Sequence, residues 1–321
     1  MARSTHPNAV VPDAPPGGGA SAQSVVANLL VSLRPGQWPK NLLLFAGLGF
    51  GQKLFSPVEI ERAAAAFVVF CALSGTVYLI NDVVDRESDR RHPLKARRPI
   101  ASGALSPAVA VAAAVAIAAA ALAVAFWLGT PFGLVAVAYV ALLALYSFRL
   151  KHVVIMDVLT ISIGFVLRAV AGAVVVAVPI SHWLLVCTVL LALFLALAKR
   201  RHELVLLADG AAEHRPILGE YSPYLLDQMI GVVTASTLIA YIFYTFSPET
   251  VQKFHTEMLG LTIPFPLYGI FRYLYLVHRK EGGGSPAEML LTDRPLLACV
   301  ALWAALVVLV IYRPFAPLGA G

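Results

Sequence analysis

The sequence predicts an all-α polytopic membrane protein, a bundle of about nine transmembrane helices with cytoplasmic active-site loops. Of its 321 residues, 59% are hydrophobic and only 13% are charged, and the mean hydropathy is +0.80. This composition is far more apolar than that of a soluble domain. Apolar runs near twenty residues, the length that a helix needs to cross about 30 Å of hydrocarbon, recur along almost the whole chain. A water-soluble globule is therefore excluded.

Nine apolar segments account for most of the chain. They cover residues 41–56, 63–80, 107–128, 131–148, 153–177, 182–198, 226–246, 258–277 and 295–312. A shorter apolar stretch, residues 25–34, is expected to lie along the interface before the first span. We expect a single membrane domain over residues 25–313. A disordered tail rich in Pro, Gly, Ala and Ser should precede it at residues 1–24, and a short tail should follow at residues 314–321.

Lysine and arginine are distributed unevenly between the two sets of loops. With the N-terminus inside, the inner loops carry Arg3, Arg34, Lys40, Arg86, Arg90, Arg91, Lys95, Arg97, Arg98, Arg149, Lys151, Lys199, Arg200, Arg201, Arg215, Arg279, Lys280 and Arg294. The outer loops hold only Lys53, Arg62, Lys253 and Arg313. Because cytoplasmic loops retain positive charge, the N-terminus and the long polar connections 81–106 and 199–225 are predicted to be cytoplasmic. The chemistry should therefore take place at that face.

Three aspartates follow one another at the cytoplasmic end of the second span. Asp82, Asp85 and Asp89 are spaced i, i+3 and i+7, which places all three on one face of a helix. Carboxylates stacked in this way repel one another unless a cation lies between them, and Mg²⁺ suits oxygen ligands that are shared with substrate phosphates. Asn81 beside them can bind a diphosphate or orient a carboxylate. The alternative is a solvated helix end that is neutralised by the arginines following it.

Basic residues crowd the cytoplasmic ends and can bind the phosphate groups of a substrate. In the loop after the aspartates they are Arg90, Arg91, Lys95, Arg97 and Arg98. At the ends of spans one, four and six, where they would ring an anionic head group, they are Lys40, Arg149, Lys151, Lys199, Arg200 and Arg201. For any one of them, anchoring of the loop or snorkelling to the interface is the alternative.

Span five carries two charged residues at membrane depth. Asp157 and Arg168 are eleven residues apart, about three turns, and so lie on nearly the same face. Because charges at this depth usually face a protein cavity, Asp157 is expected to line the active cavity. Arg168 either does the same or makes a structural hydrogen bond between helices. Tyr78 and Tyr146 are candidates for contact with a sugar or a phosphate, with an aromatic belt as the alternative.

The segment from Asn81 to Asp89 resembles the UbiA superfamily of membrane prenyltransferases, whose first aspartate-rich motif, NDxxDxxxD, it matches. Further similarity lies at Arg34-Pro35, at RPIASG (residues 98–103) and at YSFRLK (residues 146–151). In members of the quinone pathways a second acidic motif follows span six, whereas this sequence reads AKRRHEL there, at residues 198–204. A second magnesium site is therefore not expected. The three adjacent cations, together with Glu203, would instead hold a phosphate directly.

Within that superfamily, one acidic and one basic site make the sequence similar to the decaprenyl-phosphate phosphoribosyltransferases, as do LRPGQWPKN (residues 33–41) and DRRHPLK (residues 89–95). The resemblance implies transfer of 5-phosphoribose from phosphoribosyl pyrophosphate to decaprenyl or another polyprenyl phosphate, with Mg²⁺ or alternatively Mn²⁺. The product would lead to the lipid-linked arabinose donor of certain bacterial cell walls.

The same resemblance implies a bacterial plasma membrane and a homo-oligomer such as a trimer, and no nucleic-acid partner is expected. On this interpretation, Asp82, Asp85 and Asp157 are catalytic residues, and Asp82, Asp85 and Asp89 are the metal ligands.

Two rival functions remain open. A prenyltransferase of the same fold would move a polyprenyl group from its diphosphate to an aromatic acceptor, although the missing second acidic motif disfavours it. A transporter of lipids or small molecules would also carry intramembrane charges. Transporters usually place substrate sites near the midplane of the membrane, whereas the charge here gathers at one face.

Overall fold

A computed structural model describes residues 22–92, 95–207, 216–279 and 286–312, and within these ranges the chain is helical without a strand. The α-helices are α1 (Ala22–Ser32), α2 (Ala46–Phe50), α3 (Pro57–Val84), α4 (Arg86–Arg91), α5 (Pro99–Ser102), α6 (Pro107–Leu128), α7 (Thr130–Phe148), α8 (Met156–Val175), α9 (His182–Leu207), α10 (Pro223–Phe246), α11 (Pro248–Phe254), α12 (Pro264–Arg279), α13 (Pro286–Thr292) and α14 (Arg294–Tyr312). Shorter 3-10 helices lie at Pro35–Phe45, Lys95–Arg97, Leu150–His152, Pro216–Glu220 and Met258–Thr262.

Seven of the described helices are long and apolar enough to cross a membrane, namely α3, α6, α7, α8, α9, α10 and α14. Each overlaps one predicted span, and α6 has the predicted bounds of 107–128. The other two predicted spans contain shorter helices. Residues 41–56 fall on the first 3-10 helix and α2, and residues 258–277 fall on the last 3-10 helix and α12. The all-α membrane fold is confirmed, whereas the count of nine spans is not.

Serine followed by proline marks the start of several helices. Ser106, Ser222 and Ser247 each accept a hydrogen bond from the backbone N–H three residues later, at the starts of α6, α10 and α11. Proline at the next position has a φ angle suited to the first turn and no N–H to leave unpaired. At α6 this signal coincides with the predicted start, whereas α10 begins three residues before its predicted span and α11 was not predicted.

The first 3-10 helix and α2 pack backbone to backbone against α8. A Cβ atom added to Gly172 on α8 would lie 2.0 Å from the carbonyl oxygen of Leu44, and one added to Gly47 would lie 2.6 Å from that of Gly172. Small residues permit such close approach between helices in a membrane. The contact holds the segment that contains Asn41 beside α8.

We expect Gly172→Ala to destabilise the protein by about 1–3 kcal/mol, the usual cost of overpacking. The added methyl group would meet backbone atoms of Leu44, which cannot move aside as the end of a side chain can. Thermal unfolding of the purified protein in detergent should therefore give a lower Tm. Gly231→Ala in α10 is the control, because a Cβ atom there meets nothing within 4 Å. Equal Tm values for both variants would contradict the close contact.

Some predictions concern residues outside the described ranges. They are the tails at 1–21 and 314–321 and the loop charges Arg3, Arg215, Lys280 and Arg313. Residues 22–24, at the end of the predicted N-terminal tail, belong to α1. This helix covers most of the predicted interfacial stretch and packs against α3 and α5.

Candidate active site

Two of the three aspartates meet at the C-terminal end of α3. This helix ends at Val84 and α4 begins at Arg86, and the side chains of Asp82 and Asp89 are each only 3% exposed. Nη1 of Arg98 donates to Oδ1 of Asp82 at 3.0 Å and to Oδ2 of Asp89 at 2.6 Å. Carboxylate oxygens from both aspartates therefore lie around one cationic nitrogen.

A second arginine contacts Asp82. Nη2 of Arg34 donates to Oδ1 of Asp82 at 2.5 Å, and its guanidinium carbon lies 4.7 Å from the centre of the Tyr78 ring. The backbone of Arg34 is left-handed, with a φ of 55°, a conformation that non-glycine residues rarely adopt. The sequence offered one signal, a lone arginine before Pro35 at the same membrane edge as the aspartates, but Arg34 was not predicted as a site residue.

The third aspartate contacts a different cation. The side chain of Asp85 is 40% exposed, and its Oδ1 lies 3.6 Å from Nζ of Lys151. Nζ of Lys95 lies 4.0 Å from Oδ1 of Asp89. Every carboxylate of the motif thus has a basic partner, as the alternative interpretation anticipated. The partners come from other segments, however, and not from the arginines of α4.

We call Asp82, Asp85 and Asp89 the acidic face. It suits a cation that is shared with a ligand. Within residues 22–92, 95–207, 216–279 and 286–312, no three His, Cys, Asp or Glu side chains form a group that could hold a metal ion alone. Asp82 and Asp89 nevertheless direct their oxygens at a single position, which Nη1 of Arg98 takes. Mg²⁺ prefers hard oxygen donors and completes its coordination with water and substrate phosphates. The residues present therefore fit Mg²⁺ bound together with a diphosphate.

A cluster of positive charge surrounds Lys40 in the first 3-10 helix. Burial and like charges lower the pKa of Lys40 from 10.5 to about 8. The like charges, in decreasing order of effect, belong to Lys199, Arg168 and Arg34. Among the described residues, no ion pair joins Lys40 to a carboxylate. A desolvated cation among other cations favours an anionic ligand. We call the cluster of Lys40, Lys199 and Arg34 the basic pocket.

We expect kcat/KM for an anionic substrate to fall as the pH rises through about 8, because the protonated form of Lys40 is lost there. The pH dependence of kcat/KM reports the free enzyme, in which no bound anion raises this pKa. Lys40→Arg keeps its charge over this range and should flatten the profile, whereas Lys40→Met should lower kcat/KM at every pH. Initial rates measured between about pH 6.5 and 9.5 test this. A flat wild-type profile would argue against binding by Lys40.

Asp157 and Arg200, which are both predicted site residues, pair with each other. Asp157 is fully buried, and its carboxylate accepts from Nε of Arg200 at 2.7 Å and from the hydroxyl of Tyr221 at 2.8 Å. Nη1 of Arg200 also donates to Glu203 at 2.5 Å. Ile155, with a φ of 69°, donates its N–H to Tyr221 Oη at 2.7 Å. In the structure Arg200 is thus an internal partner of Asp157 and of Glu203.

The two cations next to Arg200 in the sequence contact different acidic residues. Nε of Arg201 donates to Oδ1 of Asp227 at 2.5 Å, and the same oxygen lies 3.3 Å from Nε2 of His278. Nζ of Lys199 lies 3.8 Å from Oε1 of Glu203, and its charge also acts on Lys40. Of the three adjacent cations predicted to bind one phosphate, only Lys199 contributes to the basic pocket.

Arg168 makes the structural hydrogen bonds that were the alternative to a cavity role. Its Nε donates to Oδ1 of Asn41 at 2.7 Å, and its Nη2 donates to Tyr139 Oη at 2.5 Å. The guanidinium carbon lies 4.8 Å from the centre of the Tyr139 ring and 5.0 Å from that of Phe165. This buried arginine therefore ties α8 to α7 and to the first 3-10 helix.

The remaining predicted residues lie at the same membrane edge. Nε of Arg90 donates to the carbonyl oxygen of Ala101 at 3.0 Å, which holds α4 against α5. The side chains that reach solvent more freely belong to Arg91, Arg97 and Arg149. Asn81 and Tyr146 are half-buried.

Both the sequence and the fold have known counterparts. The UbiA prenyltransferase family model matches residues 42–292. A decaprenyl-phosphate phosphoribosyltransferase of Mycolicibacterium smegmatis is 33% identical over 303 residues, covering 90% of this chain and 94% of that protein. The protein of the same name from Corynebacterium glutamicum is 33% identical over 299 residues, covering 90% and 88%. A UbiA homolog from Archaeoglobus fulgidus, solved with DMAPP and Mg²⁺, shares the fold at 20% identity with a TM-score of 0.70, covering 89% of this chain and 99% of that one.

Proposed function

This chain belongs to the UbiA prenyltransferase family, and we propose that it transfers 5-phosphoribose from phosphoribosyl pyrophosphate to decaprenyl or another polyprenyl phosphate. The bond between C1 of ribose and the pyrophosphate oxygen breaks, and C1 forms a bond to a phosphate oxygen of the lipid. Pyrophosphate leaves with the electron pair. Relatives that are 33% identical over 90% of the chain carry the name of this activity, which supports a pentosyltransferase.

One observation carries the proposal: the acidic face and the basic pocket adjoin at Arg34. This residue donates to Asp82, and its charge acts on Lys40. A diphosphate with its metal ion fits the acidic face, and a second phosphate group fits the basic pocket. Phosphoribosyl pyrophosphate carries both groups on one small sugar, whereas a prenyl diphosphate carries only the first. The arrangement therefore favours the phosphorylated sugar as donor.

The acidic face would hold the leaving group. Asp82, Asp85 and Asp89 would bind Mg²⁺, for which Mn²⁺ can substitute on the same oxygen ligands, and Asn81 can orient one carboxylate. When bound, the metal ion supplies Lewis-acid stabilisation of the charge that develops on pyrophosphate. Arg98 would exchange its contact with the aspartates for hydrogen bonds to phosphate oxygens.

The basic pocket would hold the 5-phosphate of ribose through Lys40 and Lys199. The acceptor phosphate is ionised near neutral pH, so its oxygen attacks C1 without a general base. Catalysis then depends on holding donor and acceptor in line and on stabilising an oxocarbenium-like transition state. Asp157 would contribute by fixing Arg200 and Tyr221 at the edge of the site.

A paired assay tests the function. The purified protein is given Mg²⁺ and labelled phosphoribosyl pyrophosphate with polyprenyl phosphate, and in parallel a labelled polyprenyl diphosphate with 4-hydroxybenzoate. We expect a labelled lipid product only in the first mixture, lost with EDTA and restored by excess Mg²⁺, because the aspartates alone cannot stabilise the leaving pyrophosphate. Product only in the second mixture would overturn the proposal and identify an aromatic prenyltransferase. Transport of either lipid without any new product would favour a transporter.

The placement in the cell follows from charge. A multi-pass membrane protein is supported by the seven long apolar helices of the described chain. We place the N-terminus and the site on the cytoplasmic side of a bacterial plasma membrane, because most lysines and arginines gather at that end. Maleimide labelling of a cysteine at the exposed Arg97, in intact cells and in inverted vesicles, tests this. From the resemblance we also propose a homo-oligomer such as a trimer, which the native mass in detergent tests.

A further inference from the structure

A groove lies between the membrane-spanning helices α3, α6 and α7 and begins at the aspartate motif. Its cavity is about 190 Å³. At its cytoplasmic end lie Asn81 of α3 and Phe148 of α7. Deeper in the membrane its walls are aliphatic and small, with Val140, Ala118 and Ala144 among them.

The groove runs along the membrane-spanning helices, away from the aspartate motif. The segment from Val140 to Phe148 has nine residues of α7, and its ends are about 12 Å apart along the helix. Two of its lining side chains, Val115 and Phe148, are each 62% exposed, so the groove is open to the surroundings of the helices at these two positions. An occupant can therefore enter sideways from the lipid without crossing the polar loops.

The polar end of the groove is next to cations and to the reactive aspartates. Asn81 directly precedes Asp82, and Arg149, which is exposed, directly follows Phe148. Nζ of Lys151 lies 3.6 Å from Asp85, on the same side of the motif. The groove thus joins an apolar slot within the bilayer to a position where an anionic head group meets positive charge and the metal-binding face together.

We propose that this groove holds the first isoprene units of the lipid phosphate acceptor, with its phosphate between Asn81 and Arg149. The inference rests on the proposed function, since it assigns the acceptor's place in that site. A slot bounded by three helices suits a lipid with one chain and one phosphate. A phospholipid would leave one of its two acyl chains outside. The remainder of a long polyprenyl chain extends from the groove into the bilayer.

Filling the groove tests its occupant. Ala118→Leu and Ala144→Leu add bulk to its walls, while Ala119→Leu and Ala138→Leu change exposed alanines of the same helices that do not line it. We expect the KM for polyprenyl phosphate to rise about tenfold or more in the first pair. The KM for phosphoribosyl pyrophosphate and the Tm should remain as in the control pair. Equal acceptor KM values in all four variants would overturn the inference.

A direct measurement on the unaltered protein avoids the question of folding. Farnesyl phosphate with a diazirine in its first isoprene unit is photolysed with the protein in nanodiscs, and the labelled peptides are identified by mass spectrometry. We expect label on α6 and α7 around Ala118 and Ala144, reduced by excess decaprenyl phosphate but not by excess phosphatidylglycerol. The inference would be overturned if the label fell elsewhere or if phosphatidylglycerol competed equally well. It would also be overturned if the groove escaped labelling because a second copy of the chain covers it.

The two proposals fail differently. If the groove is labelled and protected by decaprenyl phosphate but no phosphoribose is transferred, the proposed function fails and the lipid phosphate site stands. If transfer occurs while the label falls on other helices, the function stands and the groove is not the acceptor site.

Discussion

Asp82→Asn is expected to lower kcat/KM for phosphoribosyl transfer by a factor on the order of 10²–10³, the usual loss when one group that stabilises transition-state charge is removed. Asp82 is nearly fully buried and accepts hydrogen bonds from both Arg34 and Arg98. The amide has nearly the same shape but cannot neutralise a divalent ion. Loss of the carboxylate charge therefore weakens the binding of the metal ion and the alignment of the two arginines on the diphosphate.

Initial rates at varied Mg²⁺ concentration measure this effect. We expect Asp82→Asn to need much more Mg²⁺ for its residual activity, because one charged ligand is missing. Glu87→Gln is the matched control, since this acid on α4 is 70% exposed and contacts only Arg90 among the described side chains. It should keep wild-type rates. Full activity in Asp82→Asn, with an unchanged Mg²⁺ requirement, would remove the metal-site assignment.

The sequence predicted the parts of the molecule that depend on local signals. Helix α6 has the predicted bounds because Ser106-Pro107 starts it and Gly129, with a φ of 150°, follows its last residue. The first predicted span, residues 41–56, is mostly apolar in the sequence, yet it forms part of a 3-10 helix and a short α-helix. Its backbone contact with Gly172 lies more than a hundred residues away in the chain, and no local pattern reports it.

The same limit applies to the site. The spacing predicted all three aspartates on one face of a helix, whereas the structure interrupts the helix at Asp85 and brings only Asp82 and Asp89 to Arg98. Their partners could not be predicted, because Arg34 comes from 48 residues earlier in the chain and Arg98 from 16 residues later. Likewise, a run of three cations suggested one phosphate site. Which of them pair internally depends on Asp157 and Asp227, which only the packing of α8, α9 and α10 brings near.

The buried pair of Arg200 and Asp157 separates a positioning role from direct binding. Their side chains are 3% and 0% exposed, so removing one leaves an uncompensated charge. Arg200→Ala is therefore expected to cost about 3–5 kcal/mol of stability, as breaking buried ion pairs does. The unfolding temperature should fall and the yield of folded protein should drop. A phosphate ligand at this position would instead raise the KM for substrate with little change in Tm.

A double substitution sharpens the distinction. Replacing both members of a buried pair by apolar residues of similar size is often neutral for stability. Arg200→Met with Asp157→Leu should therefore recover most of the Tm lost in either single variant. If Arg200 only compensates the charge of Asp157, the donor KM of the double variant should stay near that of the wild type, with a lower kcat because Tyr221 has lost its acceptor. Recovery of Tm with donor KM still raised as far as in Arg200→Ala would show that Arg200 itself contacts the phosphate. Lys199→Met, which alters the half-buried neighbour proposed to bind the 5-phosphate, gives the KM change expected of a ligand for comparison.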